Sequence, residues 1–393
     1  MKIVIILPTY NERVNIEKMI PLLAEEILPK VKNHTLQILV VDDNSPDGTG
    51  ELVKTFMEKW KHIELLTGKK HGLGAAYVRG MRYAMNEMHA DAVMEFDADF
   101  QHDPHDIPRL IQAMDKGADY VIGSRYVPGG AIPKEWGIHR KIISKFGGLF
   151  AQVMLWTWNV HDMTSGYKLT KTSYLKKVDL DHLYSHYYAY KLHILRDVLL
   201  QGAKVVEVPI IFYERKKGSS KITRKDLFDS FWVVIRLRFR DSLRFIKFLV
   251  VGGSGFILQY IITYFSILLG AEQFVAAMIG GEAAILSNFF FNNVWTFKDT
   301  GKVKQHGSIL SRLIKFNLAS LFSIFVQGFV VWIAVNWLGE YVQILGHPVH
   351  TSLVILFPTI IFIVLPMNYL IYNKIVWKTQ YLEHKKRAQV DTP

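Results

Sequence analysis

The sequence has no cysteine among its 393 residues. This absence excludes disulfide bonds, metal sites built on thiolates and a cysteine nucleophile. Nor does the N-terminus resemble a signal peptide, because its apolar run, MKIVIILPTY, is short and is followed at once by Asn-Glu-Arg. That run is typical of a buried strand, and we expect the N-terminal part of the chain to stay in the cytoplasm.

Acidic residues are fewer than basic ones, 35 against 47, and the formal net charge is +12. Such a surplus can indicate nucleic acid, an anionic membrane or an anionic substrate as the partner. The basic residues are concentrated beside apolar segments, so a lipid bilayer is the expected partner and nucleic acid is not. Half of all residues are hydrophobic, which is high for a soluble protein and predicts that some apolar surface faces lipid.

Four apolar stretches approach the roughly 20 residues that a helix needs to cross the hydrocarbon core. They lie at about 245–269, 274–297, 314–338 and 353–372. Lys and Arg are concentrated in the loop between the second and third stretches and after the fourth, whereas the other two loops contain none. The positive-inside rule therefore predicts a multi-pass membrane protein with both termini and the middle loop in the cytoplasm.

Polar side chains within these stretches are costly in lipid, so we expect them to face the interior of the helix bundle. Glu282 is the acidic example, and a hydrogen bond to a neighbouring helix is its expected role, with a part in transport as the alternative. Two segments before the first span mix aromatic and basic residues, at 138–158 and 227–245. Both predict helices at the membrane interface, although an ordinary amphipathic core helix is the alternative for 138–158.

The first 125 residues alternate short apolar runs with longer amphipathic segments. The runs KIVIIL, QILVVDD, HIELL, DAVMEFD and DYVIGS predict buried strands, and segments such as 14–28 and 75–88 predict helices. This alternation predicts a parallel, doubly wound sheet, in which a ligand lies at the carboxyl ends of the strands. Four polar groups fall at those ends and form one candidate site: 8–10, 42–43, 97–101 and 124–125.

The strongest local signal in this candidate site is Asp97-Ala98-Asp99, at the end of an apolar strand. Two carboxylates presented to one side are suited to Mg²⁺ or Mn²⁺, with substrate phosphates completing the coordination. A cation there would stabilise the negative charge of a departing diphosphate. Four basic residues are candidates to share that task or to hold an acceptor phosphate, with a solvated surface charge as the alternative for each: Arg125, Arg140, Arg215 and Lys221.

An ordered set of motifs in the sequence resembles the dolichyl-phosphate (polyprenol-phosphate) mannose synthases. The motifs are PTYNE, VVDDNSPDGT, GLGAAYVRG, FDADFQHDP, IGSRYVPGG, RKIIS, TSGYKL, EVPIIF and GSSK. These synthases are inverting enzymes of glycosyltransferase family 2 with the A-type fold, and the four apolar stretches resemble the GtrA-like membrane domain fused to some microbial members.

The resemblance implies an α/β Rossmann-like catalytic domain of the A-type at 1–225. Amphipathic interfacial helices would follow at 226–244, then an all-α domain of four transmembrane helices at 245–380 and a basic cytoplasmic tail at 381–393. The catalytic domain would lie in the cytoplasm, as the loop charges also predict.

The resemblance also implies roles for individual residues. The nucleotide-sugar site would comprise Pro8, Tyr10, Glu12, Asp42, Asp97, Ala98, Asp99, Gln101, Arg215 and Lys221. The metal would be held by Asp97, Asp99 and Gln101, and the lipid phosphate by Arg125, Arg140 and Ser144. Catalysis would depend on Asp99, Arg125, Arg215 and Lys221. The sequence departs from the family pattern at His193, where related sequences commonly have Glu, and at Ser219, which replaces the Glu of the usual GESK motif.

The implied reaction is metal-dependent, inverting transfer of mannose from GDP-mannose to dolichyl or polyprenyl phosphate. A phosphate monoester has a second pKa of about 6, so the acceptor is already a nucleophilic dianion near neutral pH and needs no general base. One alternative is a polyprenol-phosphate glucosyltransferase that uses UDP-glucose. A second is a non-catalytic translocase of lipid-linked sugars, against which the intact Asp97 and Asp99 argue. The oligomeric state stays open at this point.

Overall fold

The structure is a computed structural model that describes residues 1–214, 224–298, 308–344 and 346–377. The chain divides into two units, Met1–Arg240 and Asp241–Pro393. A parallel and antiparallel sheet with its covering helices makes up the first unit, and long apolar helices make up the second.

Seven strands form the sheet of the first unit. They are β1 (Lys2–Thr9), β2 (Thr35–Asp42), β3 (Ile63–Thr67), β4 (Ala92–Glu95), β5 (Tyr120–Ser124), β6 (Lys168–Lys171) and β7 (Val205–Pro209). The order across the sheet is β3-β2-β1-β4-β6-β5-β7. Strand β1 pairs in parallel with β2 and β4, whereas β6 lies antiparallel between β4 and β5.

All five strands predicted from the sequence are present, but the expectation of a wholly parallel sheet is wrong at β6. This strand has only four residues, two of them lysines, so its sequence lacks the apolar run that marks a buried strand. Lys168 is nevertheless fully buried, because it lies opposite Glu95 of the neighbouring strand β4. The Lys168 ammonium donates hydrogen bonds to the backbone carbonyls of Met163 and Lys191, and the charge of Glu95 also acts on it.

Helices cover both faces of the sheet. They are α1 (Arg13–Pro21), α2 (Thr49–Lys59), α3 (Leu73–Asn86), α4 (Ile107–Asp115), α5 (Ile138–Leu155), α6 (Thr172–Leu175) and α7 (Tyr190–Leu200). Successive side chains of a strand point to opposite faces, and β1 accordingly contributes Val4 and Ile6 to one hydrophobic core and Ile3, Ile5 and Leu7 to the other. With both faces covered, the polar residues that follow the strands are left at the carboxyl edge of the sheet.

Helix α5 exposes an apolar face. It buries Gly148, Ala151 and Leu155, whereas its exposed residues include Ile138 and Phe146, which are 77% and 65% exposed. An ordinary core helix would bury such side chains, so this alternative does not describe α5. Exposed apolar and basic residues on one helix are what binding to a membrane interface requires.

The second unit consists mainly of apolar helices. They are α8 (Arg224–Leu268), which begins in the first unit, α9 (Gln273–Phe291), α10 (Ile309–Leu338), α11 (Thr351–Thr359) and α12 (Leu365–Ile371). A hairpin of β8 (Tyr341–Ile344) and β9 (His347–His350) precedes α11. Within the described residues, four stretches are long and apolar enough to cross a membrane: Lys225–Leu268, Gln273–Thr296, Ile309–Leu338 and Val354–Val376. Segment 227–245 is not a separate helix, because α8 continues through it into the first span.

Glu282 is exposed on α9, so the predicted interior orientation is wrong for this side chain. The reason is helical geometry. Gly280 and Ala284 of α9 are buried, and a residue two positions from each lies about 200° around the helix from both. Packing of the small residues therefore directs Glu282 outward.

Candidate active site

A cavity of about 300 Å³ lies at the carboxyl edge of the sheet. Its walls come from the segments that follow β1, β4 and β5, as expected for a doubly wound arrangement. Nine of the predicted site residues line it: Pro8, Tyr10, Glu12, Asp97, Ala98, Asp99, Gln101, Arg125 and Arg140. Segments far apart in sequence are thus brought to one site.

In the part of the cavity that follows β1, a cation lies over an aromatic ring. Lys70 places its Nζ 3.3 Å from the ring centroid of Tyr10. Asp43, directly after β2, lines the same cavity and is held by Arg79 at 2.6 Å. Asp42 does not line it, because its carboxylate accepts hydrogen bonds from the Thr9 hydroxyl and from Ser45 and is only 1% exposed.

Asp97 and Asp99 follow β4 in a tight turn. Phe100 has a φ of 59°, which is uncommon for a residue with a side chain and costs backbone energy. The backbone N–H of Gln101 donates to Asp99 Oδ1 at 3.1 Å, and Tyr213 N donates to the Gln101 carbonyl at 2.9 Å. These contacts hold the turn in place, so both aspartates face the cavity.

The chemistry of this wall fits a divalent cation. Asp97, Asp99 and Gln101 offer hard oxygen ligands, and Asp97 is fixed by a hydrogen bond of 2.7 Å from the Tyr77 hydroxyl to Oδ1. Among the described residues no group of three or more His, Cys, Asp or Glu side chains could hold a metal ion by itself. A cation here would therefore need oxygen ligands from a bound phosphate, which is usual for Mg²⁺ at nucleotide sites.

Arg125 also lines the cavity and is held by a buried acid. Its guanidinium donates two hydrogen bonds of 2.7 Å to Asp162, whose side chain is fully buried. Asp162 is fixed in turn, because its backbone N–H donates to Glu207 of β7 at 2.9 Å. Burial alone would raise the pKa of Asp162, but Arg125 outweighs it and the pKa lies below its ordinary value. Both partners are therefore charged at neutral pH.

Arg140 reaches the cavity from the first turn of α5. Its guanidinium carbon lies 4.0 Å from the ring centroid of Trp136, a distance typical of a stacked cation–π pair. Partial burial lowers the pKa of Arg140, and Glu214 opposes that effect. Ser144, one turn further along α5, shares a hydrogen bond of 2.6 Å with the Tyr126 hydroxyl and does not line the cavity.

Sequence comparison identifies two families along the chain. Residues 4–179 match the family described as glycosyl transferase family 2, and residues 247–377 match the GtrA/DPMS transmembrane domain. A dolichol-phosphate mannosyltransferase from Pyrococcus furiosus is 36% identical over 338 residues, which are 85% of this chain and 90% of that relative. This chain belongs to the polyprenol-phosphate mannose synthase family.

Further relatives agree with this membership. The polyprenol monophosphomannose synthase of Mycolicibacterium smegmatis is 36% identical over 245 residues, which are 61% of this chain and 88% of that enzyme. An undecaprenyl-phosphate mannosyltransferase from Micrococcus luteus is 39% identical over 224 residues, 57% of this chain and 88% of that enzyme. The protein is therefore a glycosyltransferase, and its four apolar helices make it a multi-pass membrane protein.

Three residues with predicted roles or departures, Arg215, Ser219 and Lys221, lie outside the described residues. The other departure from the family pattern, His193, does not line the cavity. Its Nδ1 accepts the Tyr184 N–H at 3.1 Å, and its Nε2 lies 3.0 Å from the Arg240 guanidinium. In the structure His193 thus connects α7 to the loop before it and to α8.

Sequence reasoning missed several residues at the cavity. Lys191, Gly166 and Trp136 line it, and Asp162 positions Arg125. Gly166 lies in the TSGYKL motif, which could have indicated a site residue. Lys191 and Asp162 had no such signal, since their contacts are made with parts of the chain remote in sequence.

Proposed function

We propose that this protein transfers mannose from GDP-mannose to the phosphate of a dolichyl or other polyprenyl lipid, at the cytoplasmic face of a membrane. The observation that carries the proposal is the shared cavity, in which Asp97 and Asp99 face the same space as Arg125 and Arg140. Carboxylates for a metal–diphosphate and arginines for a second phosphate are the groups that this transfer needs. The names of the sequence relatives support the lipid acceptor and the sugar.

Each group of cavity residues has its own role in the proposed reaction. Pro8, Tyr10 and Glu12 bind the nucleoside, while Arg125 and Arg140 hold and orient the acceptor phosphate. A phosphate oxygen attacks the anomeric carbon as the bond from that carbon to the diphosphate breaks, and GDP leaves with the electron pair. The configuration at the anomeric carbon is inverted, and no protein base is required because the acceptor is ionised near pH 7.

Asp97, Asp99 and Gln101 would hold Mg²⁺ or Mn²⁺, which when bound offsets the negative charge that the departing diphosphate gains. Arg215 and Lys221, though outside the described residues, are proposed to contact the donor phosphates on the family resemblance. Burial of Asp99 limits the screening of this interaction by water.

A donor panel tests the choice of sugar nucleotide. We expect the purified full-length protein, given Mn²⁺ and a polyprenyl phosphate, to form an organic-soluble labelled lipid from GDP-mannose. The rival activity is transfer from UDP-glucose. Robust labelling from UDP-glucose with none from GDP-mannose would replace the proposed donor, and labelling from neither would reject both.

The exposed face of α5 leads to a prediction about the lipid acceptor. If this face binds the membrane interface, Phe146→Glu should raise KM for a long-chain polyprenyl phosphate in liposomes about tenfold, because it removes roughly 1.5–3 kcal/mol of apolar burial. A short-chain, water-soluble acceptor should be unaffected. Val14→Glu, at a half-exposed position of α1, is the matched control. Equal effects of the two substitutions would show that α5 has no special role.

A further inference from the structure

Lys191 is a buried cation in the cavity wall. Its side chain is only 4% exposed, although lysine is rarely buried without a charged or polar partner. It lies in the first turn of α7, with Nζ 5.6 Å from the ring centroid of Tyr77 and 5.8 Å from that of Tyr190. The aromatic walls hold the ammonium at the cavity and away from bulk water.

Gly166 shows how close this ammonium comes to the metal-binding wall. A Cβ at Gly166 would lie 2.8 Å from Lys191 Nζ, 2.9 Å from Asp97 Oδ2 and 3.1 Å from His102 Nε2. Three polar atoms thus surround one small space that a side chain would fill. Since the ammonium and the carboxylate both adjoin this space, they lie within the roughly 4–6 Å over which opposite charges interact strongly.

Lys191 is one of the charged or polar groups that lie close to the Asp97 carboxylate. His102 Nε2 also lies near this carboxylate, 4.0 Å from Asp97 Oδ2. Lys168 lies opposite Glu95 in the sheet register and has a larger effect on that acid than Lys191 has. Within the described part of the chain, Lys191 is therefore a cation close enough to interact with the same Asp97 carboxylate that a bound metal would use.

We propose that Lys191 makes binding of the divalent cation depend on the nucleotide. In the free enzyme its ammonium opposes a second cation at Asp97. The donor diphosphate brings negative charge that both cations can contact, so metal and nucleotide bind cooperatively, and Lys191 becomes a contact of the diphosphate. This inference rests on the proposed function. By linkage, the factor by which nucleotide strengthens metal binding equals the factor by which metal strengthens nucleotide binding.

Mn²⁺ binding measured by the loss of the free-ion signal in electron paramagnetic resonance tests the inference without turnover. Full-length wild type, Lys191→Gln and Lys191→Arg would each be titrated with and without GDP. We expect Lys191→Gln to bind Mn²⁺ without GDP on the order of tenfold more tightly than wild type, and the strengthening by GDP to fall by a similar factor. Lys191→Arg keeps the charge and should behave like wild type.

Lys171→Gln is the matched control, because Lys171 pairs with Asp119 outside the cavity. If Lys191→Gln does not fold, Lys191→Met keeps the length of the side chain without its charge and replaces it. Unchanged or weaker Mn²⁺ binding by a folded, uncharged variant without GDP would overturn the inference while leaving mannosyl transfer standing. Mn²⁺ binding that survives in Asp99→Ala would instead overturn the metal site and the inference together.

Discussion

Asp99→Ala should lower kcat for mannosyl transfer by roughly a thousandfold or more, since loss of one group that stabilises developing charge commonly costs 10²–10³ and here the metal is lost as well. Asp99 is 7% exposed and adjoins the same cavity as Asp97 and Arg125. The substitution removes one carboxylate of the proposed metal site and leaves the hydrophobic core unchanged. The fall in kcat is measured from initial rates with saturating GDP-mannose and polyprenyl phosphate.

Asp103→Asn is a matched control from the same loop, because Asp103 accepts the His105 N–H and does not line the cavity. Its rate should stay within a few-fold of wild type. Membrane insertion of Asp99→Ala should match wild type, and its melting temperature should fall by only a few degrees, since the hydrogen bond from the Gln101 N–H is lost but no packed apolar group is removed. A fully active Asp99→Ala enzyme would contradict the role of this carboxylate.

The five strands of the first 125 residues could be predicted because each is a local apolar run with a polar turn after it. Strand β6 could not be predicted in this way, since the buried Lys168 lies opposite Glu95 and donates to the Lys191 carbonyl, both of them remote in sequence. The interior orientation expected for Glu282 failed for a related reason. Hydropathy marks a span, but the side of the helix that is buried depends on which small residues pack against neighbours.

At the candidate site too, residues with a local sequence signal could be predicted, and contacts between residues far apart in sequence could not. Asp97, Asp99 and Gln101 are recognisable because all three lie in one segment of five residues that follows a strand. Asp162 is 37 residues from the Arg125 that it binds, and nothing local indicates the contact. Sequence reasoning thus found side chains that line the cavity and missed those that hold them in position or balance their charge.

Replacement of Asp162 by alanine should damage both stability and acceptor binding. Removal of one partner from a buried ion pair typically costs about 3–5 kcal/mol, because the other charge stays buried without compensation. We therefore expect a clearly lower melting temperature at pH 7 and, below that temperature, a KM for polyprenyl phosphate raised at least about tenfold, as a misoriented Arg125 loses its bidentate contact. The pKa of Asp162 is lowered in the folded state, so the pair stabilises the fold above the unfolded value of about 3.9, and this contribution is lost as the pH falls through the folded pKa.

Arg125→Met and the double variant Asp162→Ala/Arg125→Met distinguish the loss of stability from the loss of acceptor binding. The double variant leaves no unpaired buried charge, so it should be less destabilised than the sum of the single variants, whereas acceptor binding should stay weak in both variants that lack the guanidinium. Thermal melting and initial rates on the same preparations give both values. If Asp162→Ala lost stability but kept its KM for the lipid, Asp162 would stabilise the fold without orienting Arg125. If it kept both, the carboxylate would not hold Arg125 at all, and the proposed acceptor site would need another anchor.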